Sequence, residues 1–528
     1  MKKILFSILA IAVVLTTSCS KDSLNLNPTD QVSGDSMMDN TEGGMMALNG
    51  TIRAFWQWGW STTGNQHQCV GPMGYSLMAD LMGDDFVQAG QGNGWFYYDY
   101  LYNVKSRYTA STWRSYDCWN YYYTLISNVN YILAAKNTMQ GNQDDVNYVM
   151  GNAYAIRAYS LAYAAMTFAR SYIGHEERLS VPIYTEPTSP QTTGKPRATN
   201  KEVFAQAMSD IDSACILLAG QSQRHISHIG EAVANGIKAR IALYMGDYGT
   251  ALSAAQKAIA TSSAKLTSSI FEGYNSRNGA DIMWGAEVLK DQGTTNPQFM
   301  AHMDPAFEGY GDASRKCISV WLYSKISSSD LRKNWWHLDN FANAKSAQDL
   351  SQGYQQDKFY FADPKNPETT DHIFMRLPEM YLVVAECQAR AGQDATAQAT
   401  LNEFMSYRDS KYNCTKTGTA LGALTTDETG SLLEEIILQR RIELWGEFGR
   451  IYDIKRLRQG FKRTTEIGFQ VGALLNNLHT DDPETFDWVL TIPQKEIDAN
   501  PYMVQNPVSS YATATEGDDP ALTPKVEQ

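Results

Sequence analysis

Positive charge is the first thing this chain lacks: 44 Lys+Arg stand against 57 Asp+Glu, a net charge of −13 at pH 7. A general nucleic-acid binder needs a basic face that displaces counterions, so that class is excluded. Cysteine is sparse. Beyond Cys19 there are Cys69, Cys118, Cys215, Cys317, Cys387 and Cys414, widely and irregularly spaced with no CxxC pair. They read as small buried hydrophobes, with one bridge possible and its partners open. Histidine is scarce too. His225 and His228 have the spacing of helical metal ligands, but no third ligand accompanies them, so capping or surface roles are expected. After Leu15 no apolar run reaches the ~20 residues a spanning helix needs. At 43% hydrophobic and 19% charged residues the chain is not disordered. Its 528 residues suffice for a large core.

What is present begins at the N-terminus. Lys2 and Lys3 precede an apolar run from Ile4 to Leu15, then small polar residues and Cys19. This is the layout of an export signal over 1–18. Thr16-Thr17-Ser18-Cys19 resembles a bacterial lipobox, in which the Cys becomes the lipidated N-terminus. The usual aliphatic residue three before the Cys is missing, and an ordinary cleaved signal is the alternative. Loss of Lys2 and Lys3 would take the charge from −13 to −15. Residues 19–39 then read as a lipidated Cys and flexible tether, and 40–528 as a single domain.

Helical periodicity dominates that domain. Gly151–Arg170 and Asn200–Leu218 read as packed helices, the second capped by Thr199 or Asn200. In Glu231–Ala260, two Ala-rich helices flank a Gly246-Asp247-Tyr248 turn. Small residues on one face permit close approach, the design of a tetratricopeptide pair. Looser copies span Arg376–Arg408 and Ser431–Gly460. Arg440, Arg441, Glu443, Glu447, Arg450, Asp453 and Arg456 in the last copy have i,i+3 and i,i+4 spacings that predict ion pairs within the helices. From Ser262 to Asp371 helical periodicity stops, and long irregular loops are expected, with one short strand at Ile282–Val288. Loops of such length are usually functional. The predicted fold class is mainly α: tetratricopeptide-like helix pairs carrying long loops and a few short strands. The loop-rich half covers roughly 50–110 and 262–371.

Several stretches, in order, resemble the SusD/RagB family of outer-membrane nutrient-binding lipoproteins. They are the Cys19 tether; Tyr154-Ala155-Ile156-Arg157-Ala158-Tyr159 leading to Val181-Pro182-Ile183; Ala239 to Tyr248; Arg376-Leu377-Pro378-Glu379-Met380-Tyr381-Leu382; Arg440-Arg441-Ile442-Glu443-Leu444 with Glu447, Gly449-Arg450, Asp453 and Arg456; and Ile492-Pro493 to Gln505-Asn506-Pro507. Two positions depart from the family: Pro378, where Ala is usual, and Gln439, where Glu is usual. The 508–528 tail has no counterpart. The resemblance implies a surface protein without enzymatic activity, lid to a SusC-like TonB-dependent transporter that the tetratricopeptide side faces, and held at the outer membrane by lipid. It implies an oligosaccharide or polysaccharide ligand, no cofactor and no nucleic-acid partner. A peptide or glycopeptide ligand on the same scaffold, or an (α/α) glycoside hydrolase, are the alternatives.

Sugars present apolar C–H faces to rings and hydroxyls to amides and carboxylates, so a glycan site wants Trp or Tyr on loops beside Asn, Asp or Gln. The aromatic density peaks between Trp95 and Tyr123, where 13 of 29 residues are aromatic. Rings from Trp113 onward follow a helical pattern and are assigned to the core. Asn93, Trp95, Phe96 and Tyr97 lie in a Gly-rich loop and are the first candidates, in a region where the family's ligand aromatics also arise. Phe299, Phe307 and Tyr310 are the second group. Trp56, Trp58 and Trp60 are read as a wedge against the core, and Trp335-Trp336 as core. No residue is assigned to catalysis or to a metal; Asp84-Asp85 and Glu434-Glu435 are adjacent carboxylates without the separation glycoside hydrolysis requires.

Overall fold

The computed structural model describes residues 37–57, 66–103, 113–271, 274–339 and 353–506. The export segment, Cys19, the tether up to residue 36, Trp58, Trp60 and the 508–528 tail lie outside the described residues.

Helices come first and dominate: α1 (Thr41–Arg53), α2 (Gly71–Leu81), then strand β1 (Phe86–Gln88), α3 (Tyr97–Tyr100), α4 (Trp113–Ala134), α5 (Gln143–Phe168), α6 (Asn200–Leu217), α7 (Glu231–Met245) and α8 (Tyr248–Thr261). The loop-rich stretch holds β2 (Ile282–Ala286), α9 (Phe299–Met303), β3 (Lys316–Ile318), α10 (Val320–Ser324), β4 (Trp336–Asp339) and β5 (Gly353–Gln356). It closes with β6 (His372–Arg376), followed by α11 (Leu377–Arg390), α12 (Asp394–Met405), α13 (Leu432–Glu443), α14 (Arg450–Leu457) and α15 (Gln494–Ala499).

The helices from α4 to α8 each pack on the next, α8 packs on α11, and α11 on α12 and α13. The α7–α8 pair shows why. Gly246 ends α7 at φ +77°, a left-handed conformation that glycine adopts without a Cβ penalty. The Asp247 carboxylate then accepts from Thr250 N–H at 3.1 Å and caps α8. Ala251, Ala255 and Ala258 are fully buried, and small side chains let the helices approach closely. Tyr248 carries the guanidinium of Arg390 over its ring at 4.4 Å, tying this pair to α11. Thr199 caps α6 in a reciprocal box with Glu202.

Two sequence expectations need correction. The Ser262–Asp371 stretch is not all irregular: β1, β3, β5 and β4 form a four-stranded antiparallel sheet, and β2 pairs with β6. Strands of three to five residues are too short for alternation to show in the sequence. The charged residues of α13 and α14 mostly do not pair within their helices. Only Arg456–Asp453 is an i,i+3 pair. Arg440 reaches Asp453 across the two helices at 2.9 Å, and Arg456 reaches Glu386 on α11 at 2.7 Å. Glu443 binds Arg376 at 2.9 Å and Arg408 at 2.8 Å, all three buried. These side chains point inward, toward the helices packed against them. Among the described residues the six cysteines form no disulfide; five are buried and Cys215 is half-buried.

Candidate functional site

Antiparallel pairing of β1 with β3 opposes Gln88 to Lys316. The loop leaving β1 and the loop entering β3 therefore emerge from the same end of the sheet, although more than 200 residues separate them in sequence. Ala89 N–H donates to Arg315 O at 2.9 Å, extending the pairing by one rung. Ser314 Oγ donates to Gly90 O at 2.9 Å, and Gln88 Nε2 reaches Ser314 Oγ at 2.5 Å. Asn93 Nδ2 donates to Gly309 O at 2.7 Å. Gly92 sits at φ +51°, where a Cβ would lie 2.9 Å from Ala313 O, so only glycine lets the two loops meet this closely.

A third segment completes the site. Gln66–Gln68 forms a short 3-10 turn ahead of α2. Gln68 Oε1 accepts from Phe96 N–H at 2.6 Å and from Arg114 NH2 at 3.0 Å. Arg114 is buried and paired with Asp99 at 2.6 Å. This anchors Phe96 at φ 60°, a left-handed conformation that costs a non-glycine residue about 1–3 kcal/mol and recurs at functional sites.

On this base sits a cluster of rings. Trp95 stacks on His67 with centroids 4.8 Å apart and planes 14° from parallel. Tyr310 lies 6.1 Å from Trp95 and stacks on His302 at 5.1 Å. The Tyr310 hydroxyl meets His67 Nδ1. His302 Nε2 donates to His67 O at 2.6 Å. Burial lowers the pKa of His67 and takes that of His302 down to about 3, so at neutral pH the cluster carries no imidazolium. Phe307 stands edge-on to Tyr310 at 6.2 Å. Trp95, His67, Phe307 and Tyr310 are half-exposed, and Asn93 and Glu308 are exposed beside them. Half-exposed rings, a hydroxyl and an amide on one platform suit a ligand with both apolar faces and hydroxyls.

The structure thus brings together Asn93, Trp95, Phe307 and Tyr310. Phe96 and Phe299 need correction as contact residues. Phe96 is fully buried with its ring edge-on to His302 at 4.9 Å, and Phe299 is buried against Phe359 at 5.2 Å. The left-handed turn at Phe96 directs its ring under His302, and the short helix α9 directs Phe299 into the core. Tyr97 is half-buried in a separate group with Tyr98 and Tyr100, at 6.1 and 6.3 Å. Sequence reasoning missed His67 and His302. Neither belongs to a motif; the only available signal was their place in Trp-rich and Phe-rich loop segments.

The other sequence candidates have structural duties. Trp335 and Trp336 are buried, and Trp56 is half-buried against the core. Asp84 and Asp85 are buried beneath Arg441, which binds Asp85 at 2.6 Å, and Arg450, which binds Asp84 at 3.1 Å. Glu435 accepts from Tyr412 and Lys416 at 2.7 Å. His228 joins Asn49 at 2.8 Å and Tyr148 at 3.2 Å, and His225 joins Ser227 at 2.7 Å. Among the described residues no three His, Cys, Asp or Glu side chains converge to hold a metal.

Comparison with known proteins locates this architecture. Residues 253–508 match the family model described as "SusD family", and residues 76–243 match one described as "Starch-binding associating with outer membrane". No curated protein matches the chain. Among solved structures, a SusD-like carbohydrate-binding protein from Bacteroides vulgatus is 24% identical with a TM-score of 0.72, covering 88% of this chain and 97% of its own. Surface glycan-binding protein A from Bacteroides uniformis is 17% identical with a TM-score of 0.66, covering 89% and 100%. A laminarin-binding SusD-like protein is 18% identical with a TM-score of 0.64, covering 88% and 98%. At these identities the structures establish a shared fold, and the two family models together with that fold place this chain in the SusD family.

Proposed function

We propose that this protein captures a glycan at the cell surface and delivers it to a SusC-like TonB-dependent transporter in the outer membrane. Cys19 carries the lipid anchor in this reading. The observation that carries it is the Trp95–His67 stack with the Tyr310 hydroxyl at its edge, mounted on loops rather than on the helical scaffold. A pyranose ring laid on the half-exposed Trp95 face buries its C–H groups, while Asn93 and Tyr310 meet its hydroxyls. Relatives named for carbohydrate, glycan and laminarin binding support a sugar as the ligand. The family model named for starch binding and outer-membrane association supports the location. Binding requires no chemistry, and the amide of Asn93, the phenol of Tyr310 and the neutral imidazoles suit hydrogen bonding to sugar hydroxyls.

Isothermal titration against a panel of soluble oligosaccharides tests this directly. At least one glycan should bind, and Trp95→Ala should weaken it by tenfold or more, the effect of removing a central ring. Absence of binding across the panel sinks the glycan reading. Binding of peptides in its place selects the peptide alternative, and release of shorter sugars during incubation makes the protein a hydrolase. Co-purification of the lipidated chain with an outer-membrane barrel tests the delivery step.

A further inference from the structure

A second concave site lies on a different face of the molecule. Tyr116, Asn120, Tyr123, Ser127 and Asn130 recur every three or four residues along α4 and form one stripe of that helix. The stripe is one wall of a cleft of about 350 Å³. The facing wall is the irregular segment that carries Tyr184, Thr188 and Thr192, and Lys495 and Glu496 of α15 close one end. None of its lining residues belongs to the Trp95 platform. Arg114 points under that platform, and Tyr116, two residues on, is rotated roughly 200° around the helix.

The cleft is held rigidly. The Tyr123 hydroxyl donates to Pro182 O at 2.7 Å. Asn130 Nδ2 donates to the carbonyls of Tyr184 and Glu186, each at 3.0 Å. Asn130 is itself oriented from behind, where Arg157 NH1 donates to its Oδ1 at 2.8 Å. Arg157 is fixed in turn by a buried pair with Asp210 at 2.6 Å. The Tyr184 hydroxyl accepts from Lys195 N–H at 2.9 Å, so that ring is clamped at both ends. Tyr131 donates to Thr188 O at 2.6 Å, anchoring the far end of the wall. A loop without regular structure is thus fixed by three side chains of α4, braced from behind by Arg157 of α5 and Asp210 of α6. Yet the Tyr123 and Tyr184 rings, 6.1 Å apart and edge to face, remain only half-buried.

We infer that this cleft is a second carbohydrate site, sized for a neutral mono- or disaccharide. The volume lies at the lower end of the ~300–1,000 Å³ typical of small-molecule sites, room for one or two sugar rings. Tyrosine rings offer stacking faces beside the apolar Trp119 and Ile126, and Asn120, Ser127, Thr188, Ser189 and Thr192 bring polar side chains, the pairing that pyranose faces and hydroxyls require. Lys495 and Glu496 at the rim cancel in charge, and the Lys495 ammonium already sits over the Tyr116 ring at 3.9 Å. The cleft therefore has no net charge with which to select an acidic or basic ligand. Pre-organised walls reduce the ordering that binding must impose, which suits a small ligand with few contacts.

The test uses the full chain carrying Trp95→Ala, so that the platform cannot mask the cleft. Glucose, galactose, mannose, xylose, N-acetylglucosamine and their β-linked disaccharides are titrated and followed by saturation-transfer NMR. At least one sugar should bind this variant. Adding Thr192→Trp, which fills the cleft from an exposed position, should weaken that binding tenfold or more, and adding Tyr184→Ala should do the same. Circular dichroism of each variant checks that it folds. The cleft is refuted if the Trp95→Ala chain binds none of these sugars, or if the bound sugar is unaffected by Thr192→Trp and Tyr184→Ala together. Loss of all sugar binding with Trp95→Ala alone would leave the platform intact as the glycan site while removing the cleft. Binding unaffected by Trp95→Ala but lost with Thr192→Trp would do the reverse.

Discussion

Two clusters in this molecule use the same materials, rings and polar side chains, at opposite extremes of solvent access. Between α11, α13 and β6, Arg376, Arg408 and Glu443 are buried with every charge opposed by another. At the ends of β1 and β3, Trp95, His67 and Tyr310 are half-exposed, and burial keeps the imidazoles of His67 and His302 neutral. The first cluster is satisfied internally and offers a ligand nothing. The second leaves ring faces and hydrogen-bonding groups open to solvent. Charge density in the sequence therefore marks the scaffold, whereas aromatic density in glycine-rich loops marks the solvent-facing platform proposed as the binding surface.

The largest effect should come from breaking the buried network. Glu443→Ala leaves the guanidiniums of Arg376, Arg408 and Arg332 without their shared carboxylate. Removing one partner of a buried ion pair costs about 3–5 kcal/mol, and three partners put the loss at or above that range. Urea or guanidinium unfolding measures it, and a loss below ~1 kcal/mol would show that the network is not what distinguishes the scaffold.

Acid should dissolve the same cluster next. Arg408 and Arg376 hold the Glu443 carboxylate well below its ordinary pKa despite burial, and Glu386, Glu447 and Asp453 are lowered by their arginine partners. A carboxylate lowered in the folded state stabilises the fold above its unfolded pKa, about 4.3 for Glu. That contribution is lost as pH falls through the folded value. Melting temperature should hold from pH 7 to about 5 and fall steeply below about 4. An unchanged melting temperature at pH 3 would contradict the assignment.

At the platform the ordering reverses. Trp95→Ala should reduce glycan affinity tenfold or more while shifting stability by no more than about 1–2 kcal/mol, since its ring is only half-buried. Equal damage to folding and binding would erase the contrast between the two clusters. The smallest effect belongs to Asn93→Ala. Its side chain contributes one loop-to-loop hydrogen bond, worth about 0.5–1.5 kcal/mol, and affinity should fall only a few-fold by the same titration.

The sequence by itself determined the helical scaffold. Alanine spacing, a Gly-Asp-Tyr turn and helix caps act over a few residues, so the α7–α8 and α11–α12 pairs are legible in the sequence. It also marked the loops where rings gather, and four of the seven candidate residues meet on one platform. Tertiary structure alone decided the rest. Phe96 turned inward because a left-handed turn is anchored by Gln68, twenty-eight residues away. His67 joined Trp95, and Tyr310 joined both, because β1 pairs with β3 across more than 200 residues. The arginines of α13 and α14 paired across helices, although their spacing allowed pairs along one. Local patterns report interactions between near neighbours. Which distant segment supplies a ring's partner or a charge's counter-ion depends on chain-wide packing, and no local pattern encodes it.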